Sequence, residues 1–98
     1  MDYVIIRTYS AGVFAGELES YDRTSREAVL VDARRLWYWS GASSLSEMAV
    51  RGTSRPADCK FPVAVKRVVL PQVIEILECT PEARQSIESV TEWSQHER

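Results

Sequence analysis

A chain of 98 residues with a net charge of −2 and a pI of about 5.4 has room for one domain, and it lacks the basic excess with which duplex nucleic-acid binders neutralise phosphate. Its 45% hydrophobic and 27% charged residues exclude a disordered chain, and no run approaches the roughly 18 apolar residues that span a membrane. A domain this short buries only roughly 60–70% of its unfolded surface, so residues 1–98 are expected to form a single domain that enlarges its thin core as a homo-oligomer.

The first strand is expected over residues 3–9 (YVIIRTY), rich in β-branched and aromatic residues. Ser10, Ala11 and Gly12 supply turn chemistry. Residues 13–20 (VFAGELES) read as a second strand, with Phe14, Gly16 and Leu18 on one face and Ala15, Glu17 and Glu19 on the other. The polar run 21–26 connects it to a third strand, EAVLVDA. After a bend near Asp32 a fourth strand carries ARRLWYW, which sets Arg35, Trp37 and Trp39 on one face and Arg34, Leu36 and Tyr38 on the other. Gly41 and Ala42 end it. Ser44 and Glu47 form a capping box for a short helix over 45–51 that stops at Gly52. Residues 53–62 are a loop with Lys60 at the surface, and 63–70 and 73–79 are two further strands split by Pro71 and Gln72. Thr80, Pro81 and Glu82 open a last helix that runs to about residue 90, and the tail is expected to be flexible beyond about 93. The class is α+β: a mostly antiparallel, six-stranded twisted sheet or small open barrel with two short helices.

Catalytic chemistry finds little to build on. The single histidine, His96, stands in the tail, Glu75 and Glu78 point to opposite faces of one strand, and no Gly-rich phosphate loop motif occurs. Cys59 and Cys79 lack metal-ligand spacing. No enzyme activity, no metal and no cofactor are expected. The opening MDYVIIRTY carries no export pattern, which points to a cytoplasmic protein with reduced thiols. Binding chemistry is better represented. In Arg7–Gly16 the glycines allow close backbone approach to an anion beside Arg7, although a plain hairpin turn with a strand glycine uses the same residues. In ARRLWYWSGASS a forked cation and flat rings recur at a strand spacing of about 6.5–7 Å, which suits the phosphate and base of a nucleotide. Subunit interface and ordinary core are the competing uses of the same rings.

The segments YVIIRTYSAGVFAGEL, VLVDARRLWYWSGASSLSEMAVRGT, CKFPVAV and VIEILECTPEARQSIE together resemble a family of small phage and prophage proteins that carry a domain-of-unknown-function label. The likeness spans nearly the whole chain. Through that family the chain is similar to the Thoeris anti-defence sponges, which are small, β-rich, oligomeric phage proteins that sequester cyclic signalling nucleotides without cleaving them. The resemblance implies a binding protein in the cytoplasm of an infected host cell, with pockets of arginines and aromatics near subunit interfaces. Its partner is then a small anionic nucleotide such as a cyclic nucleotide or a cyclic ADP-ribose, not a duplex and not a membrane. The resemblance assigns no individual contacts. The candidate ligand-binding residues follow from their own chemistry: Arg7, Tyr9, Ser10, Gly12, Arg34, Arg35, Trp37, Trp39 and Ser43. The alternative is a protein–protein module, an inhibitor of a host protein or a minor virion component, with the aromatic strand as its binding face.

Overall fold

The computed structural model describes residues 1–95; His96 and the end of the tail expected to be flexible lie outside them. Along the chain come β1 (Tyr3–Thr8), β2 (Val13–Asp22), β3 (Glu27–Arg35), α1 (Leu45–Arg51), a single 3-10 turn (Pro56–Asp58), β4 (Val65–Leu70), β5 (Val73–Glu78) and α2 (Pro81–Ser89). The strands form one five-stranded sheet of order β4-β3-β2-β1-β5, antiparallel throughout. The α+β class is the expected one, with five strands in place of six.

The missing strand is the one expected over ARRLWYW. β3 runs through Asp32, whose φ of 51° makes the bend, and stops at Arg35. Beyond it the pairing with β4 lapses: the Leu36 N–H still donates to the in-register Val13 carbonyl of β2, but on the opposite arm Pro62 has no N–H to offer. Pairing resumes only at an isolated bridge between Tyr38 and Lys60. The two arms nevertheless stay in step, because Ala33 faces Val65 and Tyr38 faces Lys60, an advance of five residues on each side.

β4 and β5 are the two edges of the sheet, yet only Pro71 and Gln72 separate them. A link that short reaches roughly 10 Å, so the sheet rolls until its edges meet at this corner. The Val73 N–H donates to the Arg26 carbonyl and the Tyr9 N–H to the Gln72 carbonyl, which ties the corner to the neighbouring turns. Curvature comes from the register shifts in β2 between Ala15 and Glu17 and between Leu18 and Ser20. Within the first shift lies Gly16, where a Cβ would stand 3.1 Å from the Ala33 Cα and the Val31 carbonyl.

The roll makes two apolar layers. Inside it lie Val4, Ile6, Phe14, Ala28, Leu30, Ala33, Leu70 and Val73. On the outer face Tyr3, Ile5 and Ala15 meet Met48 and Ala49 of α1, Ile87 of α2, and Leu36, Phe61 and Val90. β1 supplies both layers from alternate residues, which is why YVII is apolar throughout. Both helices begin as expected. The Ser44 hydroxyl accepts from the Glu47 N–H while the Glu47 carboxylate reaches back to the Ser43 N–H at 2.6 Å. The Thr80 hydroxyl accepts from the Ala83 N–H and donates to the Val50 carbonyl at 2.7 Å, joining the start of α2 to α1.

Candidate functional site

The two adjacent arginines of β3 face opposite layers. Arg34 is buried: Nη1 donates to the Ile87 and Val90 carbonyls at 3.1 and 2.6 Å, Nη2 donates to the Phe61 carbonyl at 2.9 Å, and the guanidinium lies 5.5 Å from the Phe61 ring. Burial lowers its pKa, as expected for a cation withdrawn from water. Three carbonyls occupy this fork, so Arg34 serves the end of α2 and not a ligand. Arg35 is exposed, sits 4.3 Å over the Phe14 ring and donates to the Ala11 carbonyl at 2.5 Å. Gly12, with φ of 97°, makes room for it: a Cβ there would stand 3.1 Å from Nη1.

The remaining predicted contacts divide between places. Arg7 is ion-paired with Glu75 at 2.9 Å, and Tyr9 is 76% exposed. The Ser10 hydroxyl donates to the Gln72 side-chain oxygen at 3.3 Å. Tyr9 and Gln72, together with Ser25 and Arg26, border a shallow cavity of about 300 Å³ at the rolled corner. Trp39 packs on the outer core layer, and the Ser43 N–H is engaged by the Glu47 carboxylate. That hydrogen bond holds the Glu47 carboxyl below its ordinary range. The expected row of Arg35, Trp37 and Trp39 therefore does not form, because the strand that would align them ends at Arg35.

Trp37 instead joins partners from elsewhere in the chain. Its ring is 58% exposed and stacks on Trp93, centroids 5.1 Å apart and planes within 10°. Tyr38 is also exposed, at 50%. The Lys60 ammonium lies 5.5, 5.7 and 5.6 Å from the centroids of Trp37, Tyr38 and Trp93. Near-equal distances to the two stacked rings place the cation beside the stack, which leaves the outer face of Trp37 to solvent. The backbone holds the group: Tyr38 and Lys60 exchange hydrogen bonds at 3.3 and 2.8 Å, and the Trp93 N–H donates to the Phe61 carbonyl at 3.0 Å. The sequence points to Trp37 and places Lys60 at the surface, where the structure has it half-buried. It did not connect Tyr38 or Trp93 to them, although a tryptophan in the polar run TEWSQ is itself a signal of a tethered tail.

Residues 1–87 match a protein family described as a domain of unknown function (DUF6948). The chain belongs to that family. No curated protein and no solved structure matches it. The family match covers the sheet and most of α2 but ends before Trp93, so the aromatic group straddles its boundary. In this family member no described helix is long and apolar enough to cross a membrane. Among the described residues no three His, Cys, Asp or Glu side chains converge as a metal ion requires.

Proposed function

We propose that the protein binds a small anionic nucleotide, a cyclic nucleotide or a cyclic ADP-ribose-type signal, and sequesters it without cleavage. The observation that carries this reading is the outward face of Trp37, backed by Trp93 and flanked by the Lys60 ammonium. A base stacks on such a face with about 1–3 kcal/mol, and the ammonium is placed to meet a phosphate. One platform and one cation fall well short of the roughly 12 kcal/mol of nanomolar binding. The site is accordingly completed by a second copy, with the ligand at the subunit interface. The resemblance to phage proteins supplies the setting: an anti-defence protein in the cytoplasm of an infected cell that withdraws an immune signal.

Native mass spectrometry of the protein, alone and with a panel of cyclic di- and trinucleotides and cyclic ADP-ribose isomers, tests the reading. The expected result is a stoichiometric adduct on an oligomer that releases unaltered ligand on denaturation. Trp37→Ala and Lys60→Gln each weaken it by about tenfold or more. A protein that binds none of these ligands, or that releases hydrolysed product, sinks the proposal.

A further inference from the structure

At the open end of the roll, away from the Pro71–Gln72 corner, lies a second cavity of about 240 Å³. Its walls are Phe14 and Ala33 from the inner layer, Val65 and Val68 from β4, and Pro62 and Val63 from the segment entering β4. Arg35 is the one polar side chain on its lining, set at the lip with its guanidinium on the Phe14 ring. Val63 and Val65 are 59% and 41% exposed, a costly arrangement for residues on an apolar wall.

The arginines of the sheet differ in what they already hold. Arg7 and Arg67 are neutralised by Glu75 and Glu19, and Arg34 is taken up by three carbonyls. Arg35 donates to one carbonyl, and among the described residues no carboxylate pairs with it. A guanidinium carries five N–H donors in a plane that matches a carboxylate in two-point contact. Stacking on Phe14 and the bond to Ala11 fix that plane before any ligand arrives. We infer that this cavity is a binding site for an amphiphilic monocarboxylate, with the apolar body between Phe14 and the valines and the carboxylate on Arg35. At roughly 30 Å³ per small group the volume holds a chain of about eight carbons. The site is separate from the aromatic platform and does not rest on the nucleotide reading.

Titration calorimetry of the intact protein with octanoate, octanol and acetate tests the inference, with amide NMR shifts to locate the site. Octanoate is expected to bind about tenfold or more tightly than octanol, and acetate not to bind at about 1 mM. The octanoate shifts are expected to centre on Val63, Val65 and Val68. Arg35→Gln lowers octanoate affinity to that of octanol, while Val65→Trp, which fills the cavity and keeps Arg35, weakens both. The inference is overturned by octanol binding as well as octanoate, by shifts centred elsewhere, or by no octanoate binding at about 1 mM. The shifts of the wild-type protein decide the location even if a variant folds poorly.

Discussion

Two arginines side by side in β3 show how much a single step along a strand changes what a residue does. Arg34 is turned toward the helices and closes three backbone carbonyls; Arg35 is turned to the open end of the roll and keeps most of its donors. Replacing Arg34 by Met takes a donor from all three carbonyls and leaves that of Val90 unpartnered, since Phe61 keeps the Trp93 N–H and Ile87 the Val90 N–H; an unpartnered buried group costs about 1–3 kcal/mol. We expect Arg34→Met to lose about 2–3 kcal/mol in urea unfolding, and Arg34→Lys to recover only part of it because an ammonium cannot span the fork. Arg35→Gln, at an exposed position, is expected to lose less than about 1 kcal/mol. Equal losses at the two positions would contradict the assignment. Alternation along the strand separated these two side chains in the sequence, but it could not say which side the helices would cover.

At the level of elements, caps were the most legible feature. Ser44, Glu47, Gly52, Thr80 and Pro81 mark helix ends through hydrogen bonds made within a few residues, and the helices form where those signals stand. The ARRLWYW strand failed for the opposite reason. Its rings have high strand propensity, but its fate was set on a distant arm, where Pro62 offers no N–H and pairing resumes only at Tyr38 and Lys60. The aromatic site was half legible for the same cause, since Trp93 reaches Trp37 from the far end of the chain. Gly52 offers a sharp test of how α1 meets α2. Its φ is 75°, and a Cβ there would stand 2.3 Å from the Cβ and Oγ of Ser86, whose hydroxyl accepts from the Thr53 N–H. Gly52→Ala should therefore cost about 2–4 kcal/mol and lower Tm by about 10 °C or more in a thermal melt followed by circular dichroism. A melt unchanged from wild type would mean that the α1–α2 contact is looser than described.

For the whole molecule, a half-buried thiol and a buried phenol at the seam between sheet and helices set an alkaline limit on folding. Burial pushes the Cys79 thiol from 9.0 up to about 11, and burial followed by the nearby Glu88 and Cys79 raises the Tyr3 phenol above its ordinary value. Both folded values lie above the unfolded ones, so the unfolded chain releases protons first and stability falls as pH rises. The thiol contribution is whole below about pH 9 and lost by about pH 11; the phenol contribution begins to fall near pH 10, where an unfolded tyrosine ionises. Urea midpoints measured from pH 7 to 11 should decline above about 9, and Cys79→Ala should delay that decline toward 10, leaving the part due to Tyr3. The rolled sheet itself was only partly legible: a twisted sheet or open barrel was expected with its strand order left open, and the strands on either side of Pro71 and Gln72 are opposite edges brought together by curvature that β2 supplies far away in sequence. The in-step arms of β3 and β4 carry a consequence for how such a chain tolerates insertions and deletions. Ala33–Val65 and Tyr38–Lys60 bracket residues 39–59 as a closed detour. Residues added or removed at its exposed tip, 54–58, leave both arms where they are. One residue gained or lost on a single arm, within 34–37 or 61–64, would slip the bridge and turn Trp37 away from Trp93. Length can therefore vary at the exposed tip of the detour and hardly at all at its neck.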